Sequence, residues 1–343
     1  PWFPMIRPTI FRKFLIASLL LALLPLLVAS IFQFSGLEQV RDRLALEISN
    51  SAEQQAAEGL QMRARQVADS ISDYLYRRED DLRFLSRFAS DRQVLLSFWR
   101  QQRSEVWERR ADAVHQASEV REQVPIYRSF ALIDADGQEQ MVLKDGRFLH
   151  PSELRNVARP ASTEFKSETY FQAIKNLQPG QIHVTHLTGF HVNKQQQLAG
   201  ASEPEQALGS RYEGVVRFGM PLHGPDGRFS GAFVISMDHR HLMEFTQHID
   251  PGPHFVTAFP SYKSGNYAFL FDDEGWIITH PKLWDIRGVD RQGRLVPPYT
   301  ASSSPESIQA GTIPFNLDYA GFIHPNYPKA SALVRKQQSG VVE

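Results

Sequence analysis

From Phe14 to Leu37 the chain carries no charged residue, and Phe14 to Phe34 reads FLIASLLLALLPLLVASIFQF. About 20 apolar residues in helical form cross the hydrocarbon core of a bilayer. The run therefore predicts a membrane-spanning helix over residues 14–36, and Pro25 within it is tolerable because a helix in lipid can kink there. Arg7, Arg12 and Lys13 precede the run, so residues 1–13 are expected on the cytoplasmic side and the rest outside. A cleaved signal peptide is the alternative, with Val28, Ala29 and Ser30 as small residues for cleavage. The run is longer than a usual signal core, which favours the anchor.

Over the whole chain 37 basic residues face 38 acidic ones, for a net charge of −1, and this balance argues against nucleic-acid binding. Cysteine is absent, which removes disulfides, thiolate metal sites and thiol nucleophiles. Leu37 to about Arg100 is almost free of Pro and Gly. Leu37, Val40, Leu44, Ile48 and Ala52 recur at helical spacing, as do Val67, Ile71, Tyr74, Leu75 and Leu82. A stalk helix of about 60 residues, reaching roughly 90 Å, is expected here, its stripe packed on a partner helix or on globular domains. A second helical stretch is expected around Val94 to Val120, so that residues 37–125 form stalk and helical lead-in.

Phe130 to Gln138, FALIDADGQ, reads as a strand entering an acidic turn, with Met141, Val142 and Leu143 returning. Tyr267 to His280, YAFLFDDEGWIITH, repeats that plan. Gly137 and Gly275 stand 138 residues apart, and aligning them pairs Leu132 with Leu270 and Ile133 with Phe271. Two similar α/β units in tandem follow. DADG and DDEG resemble the start of calcium loops, but neither continues to the spaced ligands and terminal Glu of one, so hairpin turns are the better reading. YEGVVRFGMPL, HGPDGR and FSGAFVISMDH give a hairpin around a Pro-Asp-Gly turn. Val216, Phe218, Met220 and Leu222 share one face of it, and Phe233, Ile235 and Met237 share a face of the return strand. The second unit has no counterpart of this hairpin, and the chain reads as cut short.

The order of these motifs carries a family likeness: apolar span, stalk, strand–DADG–strand, SETYFQAI, VVRFGMPLHGPDGRFSGAFVISMDHRHL, then strand–DDEG–strand followed by His-Pro. It resembles the double Cache (dCache) sensors of bacterial chemoreceptors, histidine kinases and diguanylate cyclases, over about residues 37–343. The resemblance implies an α+β fold of two tandem PAS-like modules with antiparallel sheets. The membrane-distal one would occupy residues 126–245 and the membrane-proximal one residues 246–343. It also implies a small-molecule ligand in the distal module and no cofactor. In the amino-acid-binding members an Arg and aromatic residues hold the ligand carboxylate and an Asp holds its amine. Tyr170 and Phe171 match the aromatic pair, and Asp238 matches the Asp. Glu168 stands where the Arg is expected, which disfavours an anionic ligand and favours a cationic or neutral one.

The candidate ligand residues are thus Tyr170, Phe171, His186, Arg217 and Asp238. Each has a plainer reading. Tyr170 and Phe171 open the helical stretch YFQAIKNL and fit core packing. Arg217 lies between Val216 and Phe218 and so points to the opposite face; there it pairs with an anion or meets solvent. Asp238 follows a strand and suits a helix N-cap. Metal binding is not expected: on a strand His183 and His186 face opposite ways, and no HExxH pair occurs. No GxSxG, GxxxxGK[ST] or GxGxxG element suggests an enzyme. The Pro-, Ser- and Tyr-rich segment 287–329 reads as a long decorated loop. The expectation is the input region of a bacterial inner-membrane receptor, periplasmic in bulk and homodimeric through its stalk. Its output would belong to a histidine kinase or, alternatively, a chemoreceptor, cyclase or phosphatase. A membrane-anchored enzyme or structural protein is the rival from another class.

Overall fold

The computed structural model describes residues 10–110, 118–247 and 268–337. Residues 1–9 of the expected cytoplasmic segment lie outside them, as does most of the link between the two expected modules. The chain divides into two compact units, Pro1–Ala64 and Arg65–Glu343.

Helix α1 runs from Ile10 to Ser86 with Pro25 inside it. Its leucines at 15, 19, 20, 21, 23, 24 and 26 are exposed, and so are Leu44 and Ile48 further on. Several residues of the apolar run, Phe14, Ile16 and Val28 among them, have side chains outside the description. Among the described residues no helix is long and apolar enough to cross a membrane. The helix stops at Ser86, short of Arg100, because a turn over residues 87–90 intervenes. Asp91 then caps α2 (Arg92–Gln101), its carboxylate accepting the amides of Gln93 and Val94.

The helix expected from Val94 to Val120 ends early. Arg103–Arg110 (β1) and Ser118–Pro125 (β2) instead form an antiparallel hairpin in continuous register, with residues 111–117 outside the described set. Charged residues crowd both strands and mask the period of two. Val106 and Val124 are nevertheless buried, while cross-strand pairs join Arg110 to Glu122 and Arg121 to Glu105.

A seven-stranded antiparallel sheet forms the centre of the second unit. Its strands are β3 (Tyr127–Asp134), β4 (Glu139–Lys144), β5 (Arg147–Phe148), β6 (His183–Val184), β7 (Thr188–Gly189), β8 (Gly214–His223) and β9 (Phe229–Asp238). The order is β5-β4-β3-β9-β8-β6, with β7 also on β8. Alternation decides the faces. Phe130, Val216, Phe218, Phe233, Ile235 and Met237 pack with Leu82 and Leu85 of α1 and Leu95 of α2. Ala131, Ile133, Ala232 and Val234 face the other way, onto α3 (Tyr170–Lys175). The β8–β9 hairpin turns where the sequence places it, with Gly227 at φ +74°.

The remaining described elements of the second unit are short. Helices α4 (Lys194–Leu198) and α5 (Arg240–Gln247) are followed by the short pair β10 (Leu270–Phe271) and β11 (Ile277–Thr279). The segment expected as a loop holds α6 (Pro305–Ala310), a 3-10 turn (Leu317–Phe322) and the start of α7 (Asn326–Arg335). Its Pro-rich sequence breaks helices into short pieces without preventing them. Part of it acts as a strand, since Val289 bridges both Phe190 and Leu295.

The two acidic turns are built alike. Asp134 accepts the amides of Asp136 and Gln138 on one carboxylate oxygen, and Asp272 accepts those of Glu274 and Trp276 in the same way. Gly137 and Gly275 follow at φ +83° and +78°, a backbone state that glycine enters without cost. An asparagine closes each turn: Asn156 Nδ2 donates to the Asp136 carbonyl, and Asn316 Nδ2 to that of Glu274. The next amide along, Val157 or Leu317, donates to the glycine carbonyl.

Candidate functional site

The candidate site is a cleft of about 400 Å³ at the β6–β7 edge of the sheet. Glu168 and Tyr170 form one wall, residues 183–189 another, and Arg287 with Val289 and Leu295 the third. The wall beyond β7 thus comes from the segment after β11. It is fastened there by Val289 N–H to the Gly189 carbonyl at 2.9 Å and by the Tyr212 hydroxyl to the Arg287 carbonyl at 2.6 Å.

Beside Tyr170 lies a buried ion network. Arg217 leaves β8 on the face opposite Val216 and Phe218, as its strand position requires. Its Nε and Nη2 donate to the two oxygens of Glu168 at 2.5 and 3.1 Å. Nη2 also reaches Glu164 at 3.0 Å, and Nη1 reaches Ser236 Oγ at 2.7 Å. Lys144 meets Glu164 at 2.7 Å. Burial alone would lift the Glu164 carboxyl, but Arg217 and Lys144 hold it at about 2. Burial opposes the charge on Arg217 too, and its two carboxylates outweigh that and raise its pKa. Two carboxylates thus meet two cations. Both oxygens of Glu168 are taken by Arg217, so its carboxylate is paired from within the fold.

Tyr170 sits under this network's guanidinium, 5.2 Å from its ring centre. The structure therefore brings Tyr170 and Arg217 together, with His186 across the same cleft. Phe171, next to Tyr170 on α3, turns instead into the core against Phe229 at 6.1 Å. Asp238 ends β9, and its carboxylate accepts the Arg240 amide at 2.9 Å and the Arg240 guanidinium at 2.9 Å. Arg240 continues to Glu108 at 2.9 Å. Burial would raise the Asp238 carboxyl, and these bonds lower it. Asp238 stands one residue before the cap position, His239, and its oxygen meets the first amide of α5 rather than the second or third amide that an N-cap accepts.

His186 Nε2 lies 2.9 Å from Asp273, and its Nδ1 lies 3.9 Å from Glu274. Arg287 Nη2 stands 3.9 Å from the same Glu274 oxygen. The acidic turn of β10–β11 thus borders the cleft, which sequence spacing does not disclose. His183 lines the same cleft without belonging to the group of His186, Asp272 and Glu274, and His186 lies past the end of β6, so the expected opposite strand faces do not describe the pair. His239 and His241 also part company, each donating its Nε2–H to a carbonyl, that of Ile278 and that of Pro125 respectively.

The family model of the Cache domain matches residues 47–321. The chain belongs to the Cache family. This Cache chain is similar to the extracellular domain of a proposed histidine kinase, at 14% identity and TM-score 0.41, over 83% of this chain and 85% of that one. It is also similar to a domain of a proposed sensory-box/GGDEF-family protein from Vibrio parahaemolyticus, at 16% identity and TM-score 0.34, over 63% and 61%. A second such histidine-kinase extracellular domain aligns at 19% identity and TM-score 0.24, over 55% of each chain. No curated protein matches. An α+β Cache sensor region with an antiparallel sheet is what the chain is.

Proposed function

We propose that this Cache region is the extracytoplasmic input of a membrane-bound bacterial receptor, probing its surroundings for a small molecule. The observation that carries the reading is the family match together with a cleft whose walls come from both sides of the chain. Tyr170 and His186 are the ligand contacts in this reading, Thr185 adds a hydroxyl, and Arg217 fixes the floor. Phe171 and Asp238 then serve packing and the start of α5. With Glu168 and Glu164 neutralised from within, a neutral polar ligand fits better than an organic cation.

In this reading residues 14–36 anchor the chain, supported by the row of exposed leucines there. Residues 126–245 form the distal module and 246–343 the proximal one, supported by the matching Asp–Gly–Asn turns. The exposed stripe at Leu44 and Ile48 supports a paired stalk. The output is that of a sensor histidine kinase. Ligand binding shifts the stalk only by its differential affinity for two stalk arrangements.

A thermal-shift screen against amines, carboxylates and purines tests the ligand site. At least one compound should raise Tm in the intact chain and lose its effect in Tyr170→Ala. If none stabilises it, the cleft is not a sensing site.

A further inference from the structure

The two acidic turns differ at one atom. In the first, the free oxygen of Asp134 accepts the side-chain amide of Gln140 at 2.7 Å. Six residues after Asp272 stands Ile278, which has nothing to donate. Asp272 Oδ2 is accordingly buried without a hydrogen-bond partner, on a residue only 8% exposed. A buried oxygen so placed is costly unless something binds it. Burial pushes the Asp272 carboxyl up, with His186 and Arg287 pulling the other way.

One ligand atom from each of His186, Asp272 and Glu274 lies within 4.8 Å of the other two. Donors about 2 Å from one tetrahedral ion stand roughly 3.3 Å apart. His186 and Glu274 are exposed, so their rotamers close the difference. Asp273 at His186 Nε2 supplies the carboxylate that orients a metal-binding imidazole, which leaves Nδ1 toward Glu274. Charge agrees. Asp272, Asp273 and Glu274 meet one guanidinium, that of Arg287, while Arg335 is already paired with Asp318 at 2.7 Å. Three carboxylates against one guanidinium leave two negative charges for an ion to balance.

We infer that His186, Asp272 and Glu274 form a divalent metal site of the imidazole–carboxylate class, which zinc fits and calcium does not. One nitrogen and two carboxylates suit zinc, whereas calcium takes six or more oxygens. Three protein donors leave a further position for water beside the cleft. The ion would join the β6–β7 edge to the β10–β11 turn across a gap of 87 residues in sequence. The site stands whether or not the cleft binds an organic ligand.

The test uses the full chain stripped with a chelator, titrated calorimetrically with zinc chloride and separately with calcium chloride. Wild type should take up one zinc ion per chain, and calcium should give no comparable heat. His186→Ala and Glu274→Gln, both at exposed positions and each checked for an unchanged fold by circular dichroism, should each weaken zinc at least tenfold. Asp273→Asn should weaken it about tenfold through the imidazole alone. Equal zinc affinity in His186→Ala and wild type overturns the site. So does a wild type that prefers calcium, or that binds no zinc at all.

Discussion

Arg217 is buried with two carboxylates and a serine, so each charge there depends on the others. Removing one partner of such a cluster costs about 3–5 kcal/mol, because the remaining charge is stranded. Arg217→Met should therefore lower stability by about that much in urea unfolding, and Arg217→Met with Glu168→Gln should recover part of the loss. An equal loss in both variants would mean that the pairing matters little. Asp285 gives a pH-dependent counterpart. Burial raises its carboxyl to about 7, with Lys282 opposing, and His280 lies 3.6 Å away. A raised folded pKa stabilises fully below the unfolded value near 4 and loses that contribution as pH rises through 7. Asp285→Asn should thus gain on wild type between about pH 4 and 7, by at most about 1.4 kcal/mol per pH unit of that window. His239, lowered by burial to about 4, acts in the opposite direction in both proteins and cancels in the comparison, whereas His280, lowered by burial to about 3, touches Asp285 and shifts with it.

At the scale of elements, local chemistry decided what could be read. Asp, Gly and the flanking apolar strands define each acidic turn within a few residues, and the Pro-Asp-Gly hairpin does the same. The closing asparagines were harder to see, because Asn156 follows Gly137 by 19 residues and Asn316 follows Gly275 by 41. The β1–β2 hairpin resembles helix in sequence because its inward valines are few and its charges many. The Glu168–Arg217 pair spans 49 residues and depends on sheet register, which no spacing rule reveals. His186 meets its acidic partners only once the β10–β11 turn is docked. The turns themselves yield a stability prediction. Asn156→Ala and Asn316→Ala each remove a bond to a turn carbonyl, and each should cost about 1–2 kcal/mol. If only Asn156→Ala destabilises, the second turn does not share the first one's construction.

For the whole molecule, the paired stalk and the sensing cleft are the two assertions that matter. The chain has no cysteine, so a single introduced one reports cleanly. Leu44→Cys or Ile48→Cys should cross-link into dimers under mild oxidation, and Asn50→Cys, about half a turn away on the helix, should do so far less. Equal cross-linking at all three would remove the specific helix pair. The most direct measurement of the sensing claim is hydrogen–deuterium exchange on the intact chain with a compound that stabilises it. Slowed exchange confined to residues 167–170, 183–189 and 287–295 is the predicted result. Protection that spares those three segments, and falls elsewhere on the sheet, would contradict it.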